Sequence, residues 1–315
     1  MMTNNRHVDQ CRYYYPLPRY GFTLVELLLV IGIIGLLLAL AFPAIQRVRG
    51  ISDKVECANN MRQITHAIHQ YHHDYYKMPP ARGIGNKRTG QANDLYSSLS
   101  WRAHLLPYFE QDALWTKATQ ACLIQRLSYL PPHTGYGTPV KILGCPSDGR
   151  ISSAHIFEGI LTAFSSYLGV QGSDASNGMY ATLPDGDGIP FSTVTDGLSF
   201  TLLFGERPPP FELNAGQWYS NYIHGSSPLL CGPDTELRMV QYPYTISDPC
   251  KGPFRFSTGS IYNPCDRFHF WSLHPLGANF AFADASVRFV KYSTDQKTLL
   301  RLASRNGGEA VELPD

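Results

Sequence analysis

Phe22 to Phe42 is an apolar run of 21 residues interrupted by a single acid, Glu26, and roughly 31 Å of helix of this composition crosses a bilayer core once. A carboxylate near the start of a spanning segment costs up to roughly 2.5 to 3.5 kcal/mol when it has no partner, so an acid here is a functional residue by default. Cleavage after Gly21 would create the partner. The new α-amino group of Phe22 would be a cation one helical turn from Glu26, or beside the Glu26 of a neighbouring copy.

Two plainer readings share the same run. A simple single-pass anchor has this length, and a secretory signal peptide would use Ala39-Leu40-Ala41 as a small-residue cleavage site behind a basic leader. Against the signal peptide stand the Glu inside the run, the 21 residues before it, and Pro43 at the second position after the cut. Arg6, Arg12 and Arg19, opposed by Asp9 alone, favour a cytoplasmic N-terminus, which sends everything after Phe42 to the outer face.

The chain has 315 residues, leaving about 270 beyond the membrane run, one large domain by the usual size range. Formal net charge is +1 and the basic residues are scattered, so the sequence shows no electrostatic footprint for nucleic acid. Of seven cysteines Cys11 lies in the leader, leaving Cys57, Cys122, Cys145, Cys231, Cys250 and Cys265 on the face where disulfides are permitted. Six cysteines allow fifteen pairings; a Cys57–Cys145 bridge is one candidate and would pin helix to sheet. Cys231, Cys250 and Cys265 share one segment, so if all six pair, one of them must reach elsewhere, for example to Cys122. The spacings lack the paired Cys-x2-Cys of a zinc site, and neither metal nor cofactor is expected.

Cys57, Met61, Ile64, Ile68, Tyr71 and Tyr75 recur at alternating steps of four and three, one apolar helical stripe ended by Pro79-Pro80. Pro43 bends rather than ends the helix. The spacing therefore predicts one long helix from about Phe22 to Lys77. His66, His69 and His73 lie mostly off the stripe and read as a solvent-facing row, with no carboxylate or Cys completing a metal shell. Leu95 to Trp115 reads as core with one or two short helices. Lys141-Ile142-Leu143, Ser165 to Val170 and Thr201 to Glu206 read as strands. Ala278 to Ala283 and Ser286 to Tyr292 alternate around Asp284-Ala285 as a hairpin giving the sheet's core strands. Pro208 to Phe270 reads as an irregular insertion, and the tail beyond Leu300 as frayed. Asp174, Asp185 and Asp187 suggest a calcium loop, although Asp-Gly-Asp-Gly is more often two consecutive turns.

Arg6, Arg12, Arg19, Gly21, Phe22 and Glu26 together resemble the class III signal of type IV prepilins and secretion pseudopilins. The resemblance implies cleavage after Gly21 by a prepilin peptidase, methylation of Phe22, and a Glu26 that registers each incoming subunit against other pilin-like subunits. The rest of the chain resembles a bacterial family of prepilin-headed proteins of unknown function, marked by His, nine residues, then Asp-Gly. Its landmarks here are Cys57-Ala58-Asn59-Asn60-Met61-Arg62-Gln63-Ile64, His69-Gln70-Tyr71-His72, Met78-Pro79-Pro80, Ser100-Trp101-Arg102, Leu105-Leu106-Pro107-Tyr108, Cys145-Pro146-Ser147-Asp148, Asp196-Gly197-Leu198-Ser199, and His274-Pro275 through Asp284. The chain departs from the pattern at Ala285 and Leu276, where the family has Gly, and at Phe200, where it has Asn. Ala285 makes a type I′ hairpin turn costly, so a longer or type I turn is expected.

The expected organisation is a leader over residues 1–21, a transmembrane helix over 22–42, an amphipathic continuation over 43–77, and an α+β exoplasmic domain over 78–315. The fold class is α+β and pilin-like, a long N-terminal helix packed on an antiparallel β-sheet with long irregular insertions. The expected function is a membrane-anchored subunit of a type II secretion or type IV pilus-like assembly, held by the inner membrane and dependent on separate assembly machinery. An anchored envelope binding module that recognises glycan or a surface protein through Trp218, Tyr219, Tyr222 and Trp271 is the alternative. No enzyme is expected: His274 and Asp284, with Ser272 nearby, are read as loop-fixing and turn-capping residues, because no nucleophile elbow, HExxH pair or nucleotide loop accompanies them.

Overall fold

The computed structural model describes residues 21, 23–81, 95–157, 159–173, 176–181, 187–213, 215–220, 229–230, 250, 254–308, 311 and 313. The chain divides into two compact units, Met1–Arg49 and Gly50–Asp315. One element, helix α1 (Leu24–Tyr75), runs through the boundary and carries on past Pro43.

In the first unit every described residue is exposed, including the whole apolar face from Leu24 to Val48. This stretch is long and apolar enough to cross a membrane, and none of it is buried against protein. Helix α1 begins two residues later than the run suggests.

In the second unit α1 buries Cys57, Met61, Ile64, Thr65, Ala67, Ile68 and Tyr71, the expected stripe with one correction. Tyr75 is exposed and instead lays its ring on Tyr71, 4.4 Å between centroids. Tyr76 then takes a left-handed φ of 58°, which stops the helix two residues before Lys77. His69 also departs from expectation: its ring packs on Phe191 at 4.8 Å, while His66 and His73 face solvent.

Helix α2 (Asp112–Ile124) follows a 3-10 turn over Ala103–Phe109. A small hairpin pairs β1 (His155–Phe157) with β2 (Ile160–Thr162). The main sheet holds β3 (Tyr167–Val170), β4 (Leu202–Glu206), β5 (Leu229–Leu230), β6 (Gly277–Phe282) and β7 (Val287–Lys291) in the order β5-β3-β4-β6-β7. All its pairings are antiparallel except β3 with β5. The expected hairpin therefore forms, but β7 lies at the edge rather than in the centre.

Period-two alternation gives the sheet two apolar faces. Tyr167, Leu203, Phe204 and Ala281 pack with Met61, Ile64 and Ile68 of α1. Leu168, Val170, Leu202, Phe280 and Phe282 pack with Leu299, Leu302 and Ala303 of a C-terminal helix α3 (Gln296–Ala303). Strict alternation would put Leu202 and Phe204 on one face. A bulge between them breaks the register and turns Phe204 to the α1 side.

Two readings need correction. Lys141–Leu143 is a 3-10 turn, closed locally by Leu143 N–H to Val140 O and Gly144 N–H to Lys141 O, with Gly144 and Pro146 cutting off any strand. The tail is not frayed as far as Gly308. Asp295 is the N-cap of α3 and accepts from Thr298 N–H, and beyond the helix Asp196 accepts from the backbone of Gly307 and Gly308 at 2.7 and 2.8 Å. In the insertion, described residues form β5 and a 3-10 turn over Pro264–Phe268, and the rest of their path is irregular.

The β6–β7 connection is a type I turn followed by one left-handed residue: Ala285 N–H donates to Phe282 O, and Ala285 has φ 69°. Leu276, just before β6, has φ 73° and is exposed. Both are positions where the resemblance calls for Gly, and a Cβ there costs about 1 kcal/mol or more before the unfolded-state entropy of Gly offsets part of it. Ala285→Gly and Leu276→Gly should each stabilise the head by up to about 1 kcal/mol, read as a rise in Tm; a fall in both would show that the left-handed conformation carries no strain.

Candidate functional site

At the N-terminus Gly21 is exposed, and Phe22 lies outside the described residues. Glu26 does something its sequence reading missed. Its Oε2 accepts from the Thr23 N–H at 2.9 Å and the Thr23 hydroxyl at 2.8 Å, while the Thr23 hydroxyl accepts from Glu26 N–H at 3.3 Å. This is a reciprocal capping box, which satisfies backbone donors that the first turn of α1 leaves unpaired. The Thr-x-x-Glu spacing of Thr23 and Glu26 was the signal.

In the second unit four segments converge on one buried point. Cys57 comes from α1, Cys145 from the turn that precedes β1, Glu206 from the end of β4, and His274 from the loop entering β6. Cys57 and Cys145 are joined in a disulfide across 88 positions. His274 Nε2 lies 3.5 Å from Cys145 Sγ and 3.3 Å from Glu206 Oε1, and the His274 and Glu206 side chains are each 2 % exposed.

Each member is held by its own surroundings. Cys145 N–H donates to the Ser166 hydroxyl, and Ser166 N–H to Leu143 O, so the start of β3 fixes the cysteine turn. Asn60, one turn beyond Cys57, donates to Gly144 O at 3.2 Å. The β4 bulge that turns Phe204 toward α1 puts Glu206, two residues on, on that same face. Glu206 then accepts from Asn279 N–H at 2.6 Å and Asn279 Nδ2 at 3.2 Å. The Ser272 hydroxyl accepts from His274 N–H and donates to Gly277 O, shaping the loop that presents the imidazole. Sequence reasoning singled out Cys57, Cys145 and His274 but gave Glu206 no role.

His274 and Asp284 are not brought together; they flank opposite ends of β6. Asp284 Oδ1 accepts from Ser286 N–H at 2.9 Å and its Oδ2 lies 3.5 Å from Arg288. Burial pushes its carboxyl up, but hydrogen bonds from Ser286 and Ser199 and the Arg288 charge outweigh this and hold it below its ordinary value. Ser272 is committed to its loop. Asp187 pairs with Lys77 Nζ at 2.6 Å, and the other two acids of the supposed calcium loop, Asp174 and Asp185, lie outside the described residues.

The aromatic residues of the binding-module reading are internal. Trp218, Tyr219 and Trp271 are all but fully buried, and the indole N–H groups of Trp218 and Trp271 donate to Thr138 O and Asp266 O. Tyr222 lies outside the described residues. Cys250 is bonded to Cys265, so that pair closes within the insertion; Cys122 is buried on α2, and Cys231 lies outside the described residues.

Other landmarks also serve the framework. Arg102 is completely buried and donates to Tyr167 O at 2.5 Å and Gln217 O at 3.1 Å; burial, with Arg207 nearby, pushes its guanidinium down to about 9. Tyr108 donates to Asp74 Oδ2 at 2.6 Å. Asp148 caps a 3-10 turn and binds Arg150 at 2.6 Å.

The family described as "Protein of unknown function (DUF1559)" matches residues 49–297, and the prokaryotic N-terminal methylation motif matches residues 18–42. No curated protein and no solved structure matches the chain.

Two outcomes test these assignments. Closing a loop across 88 positions is worth about 4 to 5 kcal/mol by chain entropy, so Cys57→Ser in the oxidised chain should lower unfolding free energy by up to that amount in denaturant titration. A loss under about 0.5 kcal/mol would mean the link does not constrain the unfolded chain. For Asp284 a folded pKa below the unfolded one stabilises the fold above the unfolded value, about 3.9, and this contribution is lost as pH falls through the folded value. Wild type and Asp284→Asn should therefore converge in Tm as pH is lowered below about 4; a gap that stays constant would remove the carboxylate's role.

Proposed function

Because the chain belongs to the DUF1559 family of unknown function and is headed by a prokaryotic N-terminal methylation motif, we propose that it is a pseudopilin-like subunit of a type II secretion or type IV pilus-like assembly. Prepilin peptidase cuts after Gly21 and the new Phe22 amine is methylated. The apolar half of α1 anchors the subunit once in the inner membrane, with the head on the outer side. An assembly ATPase outside this chain supplies the work of extraction. The head acts by docking and not by catalysis.

The match of the methylation motif to residues 18–42 carries this reading. The exposed apolar start of α1 supports it, and so does the separation of His274 from Asp284 along β6. Of the four aromatics named for the glycan-binding alternative, Trp218, Tyr219 and Trp271 are buried, which favours the subunit reading.

Mass spectrometry of the N-terminal peptide from native membranes should find methylated Phe22; an intact Met1 or a start at Phe42 would overturn the processing. Glu26 separates capping from assembly. Glu26→Gln retains a capping-box partner for Thr23 but carries no charge. It should be inserted and cleaved normally yet enter filaments about tenfold less well, as loss of an ion pair worth roughly 1.4 kcal/mol requires. Normal incorporation of Glu26→Gln would confine Glu26 to its capping role.

A further inference from the structure

The convergence of Cys57, Cys145, Glu206 and His274 is more than a disulfide needs. A cystine in a core is satisfied by apolar neighbours, whereas here a buried carboxylate and imidazole, expensive to bury unless paired, partner each other at 3.3 Å beside the sulfurs. All four residues are buried, and their sulfur, nitrogen and oxygen donors lie within 4.8 Å of one another. Two thiolates, one imidazole and one carboxylate are also a complete donor set for a tetrahedral, borderline-soft divalent cation.

We propose that, with the Cys57–Cys145 bond reduced, these four residues form a Zn²⁺ site, and that disulfide and metal are alternative states of one centre. The inference stands apart from the assembly role above.

The geometry fits the ion. With zinc about 2.3 Å from sulfur and about 2.0 to 2.1 Å from nitrogen or oxygen, a tetrahedron has edges of about 3.3 Å between nitrogen and oxygen and about 3.6 Å between sulfur and nitrogen. His274 Nε2 to Glu206 Oε1 is 3.3 Å, and Cys145 Sγ to His274 Nε2 is 3.5 Å. Once unbonded, the two sulfurs must move apart to about 3.8 Å, and the widest donor separation, up to 4.8 Å, must close to about 3.6 Å as they do so. The supporting shell is present too: Asn279 holds both oxygens of Glu206, Ser272 sets the His274 loop, and Ser166 fixes Cys145.

The exchange balances. A dithiol reductant donates two electrons and two protons to the Cys57–Cys145 bond, giving two thiols and the oxidised reductant. Zn²⁺ then displaces both thiol protons and binds two thiolates, the carboxylate and the neutral imidazole. In reverse, a disulfide oxidant removes two electrons from the sulfurs, the S–S bond re-forms, and the ion loses half its ligands and leaves.

The test uses the full chain in detergent, reduced anaerobically with a dithiol, separated from the reductant, and titrated with Co²⁺ and then Zn²⁺. One equivalent of cobalt should bind, giving thiolate-to-cobalt charge transfer and tetrahedral ligand-field bands that zinc bleaches, while the oxidised chain binds none. Asn279→Ala should weaken binding about 10- to 100-fold, and Cys57→Ser should cut the charge-transfer band to about half or less, since one of two thiolates remains. Octahedral cobalt only, equal binding by the oxidised chain, or a band undiminished by Cys57→Ser would overturn the proposal. So would a reduced chain that unfolds and is not restored by zinc, because a metal held by these donors must contribute folding free energy.

Discussion

An α-helix satisfies its own backbone, and this allows one segment, α1, to serve two different solvents. From Leu27 to Ile45 its side chains are apolar and exposed, which water would not tolerate over such a length but lipid does. From Cys57 to Tyr71 the same helix narrows its apolar surface to one stripe, and that stripe is what the head's sheet folds against. The head has few long regular elements of its own. Its β3, β4 and β6 are wholly buried strands that require cover on both faces, supplied by α1 on one and α3 on the other.

Between those layers most of the path is irregular, and irregular backbone must find hydrogen-bond partners outside regular ladders. Acidic and amide side chains provide them at turn after turn: Asp148 for Arg150 N–H, Asp196 for Gly307 and Gly308, Asn263 for Cys265, Asp284 for Ser286, Asp295 for Thr298. Arg102 does the converse, giving its guanidinium donors to the carbonyls of Tyr167 and Gln217 inside the core. Several landmarks of the family resemblance are thus accounted for by loop construction.

What sequence could reveal followed the range of each signal. The stripe on α1 and the β6–β7 hairpin are periodic over several residues and were legible, and the β4 segment was legible as a short apolar run after the Asp196-Gly197 turn. Lys141–Leu143 misleads because so short a run carries too little period to outweigh the Gly144 and Pro146 beside it. The tail looks polar, yet Leu299, Leu302 and Ala303 sit at helical spacing and cover the sheet. The four-residue centre was illegible for another reason. Its members lie at positions 57, 145, 206 and 274, and the orientation of Glu206 depends on a bulge between Leu202 and Phe204 that no local pattern announces.

Under the proposed assembly role, Glu26 is one side chain that serves two states of the chain. In the single subunit it closes the capping box with Thr23, an interaction worth about 0.5 to 2 kcal/mol. In hydrocarbon an acid without a counter-charge costs roughly 2.5 to 3.5 kcal/mol, which the hydrogen bonds from Thr23 only partly offset. In the proposed assembly a neighbouring amine would supply the counter-charge that the cap lacks. Under the proposed assembly role the cap would set the start of α1 in the single subunit, and the neighbour's amine would take over the carboxylate on assembly.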